Sequence, residues 1–156
     1  MAKKFKQPVS SNIPGADPKQ EKFINYIMKD GKKNTAKNIF KNAMAEIRAN
    51  GHMNPRVVFD NAIENASPVM MVKSQRVGGS VYQVPIEVKP GKRFFFACRW
   101  ILDAARSKKG TPMYKKLAEE LLAAYSGQGY AVKKREEAQK MADANKAFAY
   151  MAKYVR

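Results

Sequence analysis

Only one stretch of this 156-residue chain, Val69 to Val88, alternates in character with a period of two. Elsewhere apolar residues recur at three- and four-residue intervals, so the chain reads as a helical body carrying one β element. Gly78-Gly79 divides that stretch at its middle and can supply the positive φ angles of a tight hairpin turn. A lone hairpin is marginal in water, so this one is expected to project as a two-stranded ribbon stabilised by what it touches. Pro85 in the second arm fits that picture, because both strands of a ribbon are edges. In the first arm Lys73, Gln75 and Val77 alternate with Val72, Ser74 and Arg76, so neither face is expected to be fully buried.

The helices are marked by their ends. Asp17-Pro18 pairs an N-cap with proline at the first helical position, and Phe23, Ile24, Ile27 and Met28 give the stripe of a first helix ending at Gly31. Thr35 is the expected cap of a second helix with the stripe Ile39, Phe40, Ala43, Met44 and Ile47, closed by Gly51. Asn54-Pro55 opens a third, with Val58, Phe59, Ala62 and Ile63, stopped by Ser67-Pro68. After the ribbon, Pro90-Gly91 leads into a helix apolar nearly all the way round, expected to be the most buried element, with Cys98 and Trp100. Thr111-Pro112 starts a fifth helix that ends near Gly127 to Gly129, and a sixth is expected from about Lys133 through Phe148 and Met151. The fold class is therefore mainly α: one domain of about six helices over residues 17–156, a ribbon between the third and fourth, and a flexible basic tail over residues 1–16.

Thirty Lys and Arg against thirteen Asp and Glu give a formal charge of +17, while 45% hydrophobic residues are enough for a packed core. A folded domain so charged repels itself, and a polyanion is the natural partner. The charge is segregated. Lys73 to Arg99 holds six basic residues against Glu87 alone, and Arg106 to Lys116 holds five with no acid. Basic residues spread over several segments favour nucleic acid over a membrane surface, which would call for one basic amphipathic helix. No apolar run reaches eighteen residues, so a soluble, intracellular chain without a membrane partner is expected.

Catalytic constellations are missing from the pattern. His52 follows Gly51 in a predicted loop without a paired nucleophile, and Cys98 lies among aromatics as a core residue. The members of Glu119-Glu120 and of Glu136-Glu137 diverge by about 100° on a helix, which suits solvated faces better than a carboxylate pair. Gly78-Gly79 lacks the spacing of a phosphate loop, and one cysteine with one histidine builds no zinc site. No cofactor or metal is expected. A general nucleic-acid-condensing protein and an RNA-modifying enzyme stand as the rival classes.

Arg76-Val77-Gly78-Gly79, Tyr82-Gln83-Val84-Pro85 and Glu87-Val88 resemble the signature hairpin of the S-seven family of small-subunit ribosomal proteins. Phe23-Ile24-Asn25 with Met28 to Lys33, Arg99-Trp100, and Ala131 to Lys134 followed by Met141 to Ala149 are similar to further blocks of the family, in the same order. The resemblance implies a bacterial-type scaffold that binds the 3′ major domain of small-subunit rRNA, nucleates the subunit head, and sets its ribbon near exit-site tRNA and the mRNA path. It implies neighbours among the head and platform proteins and a cytoplasmic ribosome, with an organellar ribosome as the alternative. The rRNA contacts it implies are Lys3, Lys4, Lys32, Lys33, Lys73, Arg76, Arg93, Arg99, Lys108, Lys109, Lys115, Lys116, Lys133, Lys134 and Arg135. The ribbon residues nearest tRNA and mRNA would be Arg76, Val77, Gly78, Gly79, Ser80, Tyr82 and Gln83. The tail departs from the family's usual arginine-rich start, having Lys3, Lys4 and Lys6 before Gly15-Ala16-Asp17-Pro18.

Overall fold

The computed structural model describes residues 17–154, so Lys3, Lys4 and the expected tail lie outside the described residues. Helix α1 spans Pro18–Ile27, where the Asp17 carboxylate accepts the Lys19 backbone N–H at 3.0 Å. It stops short of Gly31, because Met28 is already extended and Asp30 and Gly31 both take left-handed φ angles, 53° and 72°. That compact turn lets α2, Lys33–Ala49, begin at once. Thr35 is therefore inside its first turn and is not the cap. Helix α3 covers Pro55–Ala66, with Asn54 at its N-cap and proline at its start as expected.

Strands β1, Met70–Val77, and β2, Ser80–Glu87, pair antiparallel with Val77 opposite Ser80. The two-residue turn between them carries φ 59° at Gly78 and 90° at Gly79, the double positive φ of a type I′ hairpin. A hydrogen bond from Val88 N–H to the Val69 carbonyl extends the ribbon to 69–88. The expectation of two half-exposed faces fails at the base. Val84 is fully buried and Pro85 is buried, because α6 and a C-terminal 3₁₀ helix pack there.

Helices α4, Pro90–Ser107, and α5, Met113–Tyr125, follow, then α6, Tyr130–Ala144, and the 3₁₀ helix Lys146–Tyr154. Three expectations are corrected here. Helix α4 is two-sided rather than apolar all round: Ala97, Cys98, Ile101 and Leu102 are buried, Phe94 to Phe96 and Trp100 half-buried, and Arg99, Asp103 and Arg106 exposed. Helix α6 starts at Tyr130, three residues before Lys133, because Gly129 at φ 93° lets the chain turn directly into it. It also ends at Ala144, and Phe148 and Met151 belong to the separate 3₁₀ helix packed against β2.

The core is a ring cluster extended by aliphatics. Phe23, Phe40 and Phe59, from the first three helices, meet with centroids 5.1 to 5.8 Å apart in tilted or edge-on geometry. Ile47 on α2, Ile101 and Leu102 on α4, and Leu117 and Leu121 on α5 continue it, so the helices form one body. Truncating a buried phenylalanine such as Phe59 costs about 3 to 5 kcal/mol. This body fixes the positions of the cationic loops and the ribbon base.

Candidate nucleic-acid interface

The exposed end of the ribbon is built by its register. Ser74 faces Gln83 and Arg76 faces Val81 across the strands, with Ser74 Oγ and Gln83 Oε1 3.1 Å apart. Arg76, Gly78, Gly79, Ser80 and Gln83 are all exposed, and no ion pair holds Arg76 among the described residues. On the opposite face Gln75 lies across from Tyr82, whose ring packs on Phe148 with centroids 5.4 Å apart. Tyr82 is thus half-buried and props the ribbon on the body, while Val77 beside the turn is half-buried too.

A groove of about 460 Å³ runs between the ribbon base and the start of α4. Its floor includes Val72, Ile86 and Phe96, and Lys73, Lys89 and Lys92 stand at its edges. Arg93 clamps the corner: its Nε donates to the Val88 carbonyl at 2.7 Å and a terminal nitrogen to Glu87 at 2.8 Å. Glu87 is 74% exposed, so the ion pair adds little, and the half-buried bond to the Val88 carbonyl is what ties the ribbon base to the start of α4.

The expected cations divide into two sets. Lys33 pairs with Glu21, Arg99 with Asp103, and Lys134 with Glu137. Lys108 lies 2.8 Å from the buried Glu120 and 3.0 Å from Glu119, and its hydrogen bond to Glu120 is the chief reason its pKa is raised. Lys116 donates to the Lys108 carbonyl, and Arg135 donates to the Asn65 carbonyl at 2.8 Å, so both fasten loops or helices to the body. Lys32, Lys109, Lys115 and Lys133 have no such partner among the described residues. Lys73, exposed on β1, stands opposite Val84.

A second groove, of about 300 Å³, brings Lys29, Lys32 and Arg106 together over Ile27, Met28, Ile39 and Met113. Arg106 also caps α1 from a distance, donating to the Tyr26 and Ile27 carbonyls at 3.2 and 3.4 Å. Sequence reading missed Lys89, Lys92, Lys29 and Arg106 as members of grooves. The available signal was that they lie within the same acid-poor segments or beside the loops already singled out.

Cys98 is fully buried, and burial pushes its thiol far above the ordinary range. His52 stacks edge-on to Tyr125 with centroids 5.5 Å apart, a packing contact. Among the described residues no group of three or more His, Cys, Asp or Glu is placed to hold a metal ion, and no helix is long and apolar enough to cross a membrane.

The fold is thus a helical body carrying a two-stranded ribbon, with cations spread over several of its elements. The chain belongs to the family described as ribosomal protein S7p/S5e, whose model matches residues 3–146. It is 51% identical over 129 residues to small ribosomal subunit protein uS7 of Thermotoga petrophila, covering 83% of each chain. It is 52% identical over 133 residues to that of Rhodopirellula baltica, covering 84% of this chain and 85% of the relative. Against that of Francisella tularensis subsp. holarctica the identity is 46% over 156 residues, covering 96% and 98%. The protein is thus a structural, non-enzymatic component of the small subunit of a bacterial-type cytoplasmic ribosome. The RNA-modifying-enzyme alternative falls with that membership.

Proposed function

We propose that this protein binds the 3′ major domain of small-subunit rRNA, nucleates assembly of the subunit head, and holds its ribbon near exit-site tRNA and the mRNA path. Neighbouring head and platform proteins are its protein partners in this reading. The observation that carries it is the division of the cations. One set is already paired, Lys33 and Lys108 between different elements and Arg99 and Lys134 along their own helices, and Lys32, Arg76, Lys109, Lys115 and Lys133 have no ion pair among the described residues. The tail lysines Lys3 and Lys4 join this set as proposals. Lys33, Arg93, Lys108, Lys116 and Arg135 act by holding the surface in shape as well as by their charge, and Arg99 and Lys134 by their charge.

A-form RNA hides its major groove, so a protein of this shape reads a helical junction through phosphates and 2′-hydroxyls, with the ribbon entering a cleft. If about six to ten phosphates are neutralised, affinity falls by about 10³ to 10⁵ between 50 and 200 mM salt, on the duplex-DNA scale. Purified protein is expected to bind a 3′ major domain rRNA fragment far more tightly than unrelated structured RNA at moderate salt. Equal binding would sink the reading. A general condensing protein is separated by the double change Lys73→Ala and Arg76→Ala. The scaffold with this change still enters subunits but alters exit-site tRNA retention, whereas a condensing protein barely responds.

A further inference from the structure

Helix α2 buries Ala36, Phe40, Ala43 and Ile47 against the core and turns a very different face outward. At 100° per residue, Lys37, Lys41 and Arg48 fall within about 40° of one another on the flank of that face, about 90 to 130° round from the buried residues, with Lys37 half-buried and Lys41 and Arg48 exposed. They form one line about 16 Å long at 1.5 Å per residue. Asn34, Asn38 and Ala45 lie beside this line, and all three are exposed. The helix's only acid, Glu46, points at least about 140° away from each of the three cations. No hydrogen bond or ion pair occupies the side chains of Lys37, Lys41, Arg48, Asn34 or Asn38 among the described residues.

The main neighbours of α2 are α1, α3 and α5, whereas the ribbon packs on α6 and the 3₁₀ helix. The line of cations is therefore on a different part of the body from the ribbon. We propose that the outward face of α2 is a second RNA-backbone track, taking the phosphates of an RNA segment other than the one the ribbon meets. This rests on the rRNA-binding reading above.

The chemistry favours RNA over a protein partner. A protein interface needs a buried aromatic or aliphatic anchor. None of the exposed large hydrophobics lies on α2, and Ala45 and Ala49 leave its outer surface low. Cations spaced down one line suit successive phosphates, and asparagine amides both donate to phosphate and exchange hydrogen bonds with 2′-hydroxyls. A face of this kind also gives the scaffold a second handle. Two RNA segments held on different parts of one packed body are fixed relative to each other.

The test compares two full-length triple variants of equal charge. One carries Lys37→Gln, Lys41→Gln and Arg48→Gln, and the control carries Lys19→Gln, Lys140→Gln and Lys146→Gln. Circular dichroism checks that both fold. Binding of a 3′ major domain rRNA fragment is titrated against salt, with hydroxyl-radical footprinting of each complex. The α2 variant is expected to flatten the log affinity against log salt slope by about 2 to 3, close to one per lost phosphate contact. It should also lose one protected RNA segment while keeping the segment protected by the ribbon. Equal slope changes in the two triples, or a uniformly weakened footprint, would overturn the second track. A wild-type protein that shows no preference for the fragment sinks the underlying reading instead, and the two triples still rank the α2 face on whatever RNA is bound.

Discussion

Gly79 sits at the tip of the ribbon with φ 90° and open space where a Cβ would stand. Any cost of a side chain there is backbone strain, of the order of 1 to 2 kcal/mol for an L-residue forced left-handed. Gly79→Val is expected to accelerate amide exchange in β1 and β2 about 5- to 30-fold without moving the exchange of the helical core. Gly78→Asn, at φ 59°, should be nearly silent in the same experiment, since asparagine tolerates that region. Cys98 gives a second check at this scale. Its thiol is buried and held protonated, so a thiol reagent at pH 8 should leave the native protein unlabelled and modify one thiol once it is unfolded. Rapid native labelling would mean that α4 opens locally far more often than its packing implies. Residue identity told where the cations are, but not which of them are already engaged. Lys33 finds Glu21 twelve residues away, Lys108 finds Glu119 eleven away, and Arg135 finds the Asn65 carbonyl seventy away. Such pairings are made by the tertiary fold, and no local pattern announces them.

The ribbon and the 3₁₀ helix depend on each other as elements. Two strands alone lack a face to bury, and here Tyr82 on Phe148, with buried Val84 and Met151, supplies one. Phe148→Ala should cost about 3 kcal/mol or less, because Phe148 is only half-buried, and the loss should be local. Exchange measurements are expected to show faster opening of β1, β2 and the 3₁₀ helix, with α2, α3 and α5 unchanged. Global destabilisation by the full amount would show that the ribbon and body unfold as one unit. This contact also explains which elements were legible. Asp17-Pro18, Asn54-Pro55 and Gly78-Gly79 announce their helices and turn because cap, proline and glycine chemistry acts within a few residues. The break after Ala144 has no such mark: no Gly or Pro lies between Tyr130 and Tyr154, and the sequence favours a continuing helix. Runs of 3₁₀ this long are uncommon, so packing of Phe148 and Met151 against β2 decides the geometry over local preference. The opening of α2 was missed for the converse reason, since the left-handed pair Asp30-Gly31 completes the turn earlier than Thr35 suggests.

At the scale of the whole molecule, the +17 charge opposes folding while it favours RNA. Salt bridges such as Arg56 to Asp17 and Lys134 to Glu137 have a solvent-exposed partner, and exposed pairs each contribute about 1 kcal/mol or less. Like charges carried on the body repel over a distance set by the screening length, which shrinks from about 30 Å at 0.01 M salt to about 3 Å at 1 M. Long-range repulsion is screened first, and short ion pairs such as Lys108 to Glu120 at 2.8 Å are screened last. Added salt should therefore stabilise the free protein over the range where it weakens the RNA complex. The expected result is a Tm that rises by several degrees between 20 and 300 mM sodium chloride for the protein alone, while affinity for the rRNA fragment falls steeply over the same range. RNA bound at low salt should reproduce the stabilisation, because phosphates neutralise the same cations and binding to the native state adds its own contribution. A Tm that falls as salt is added to the free protein would mean that ion pairs outweigh repulsion, and the charge would then be a stabilising feature of the fold before any partner arrives.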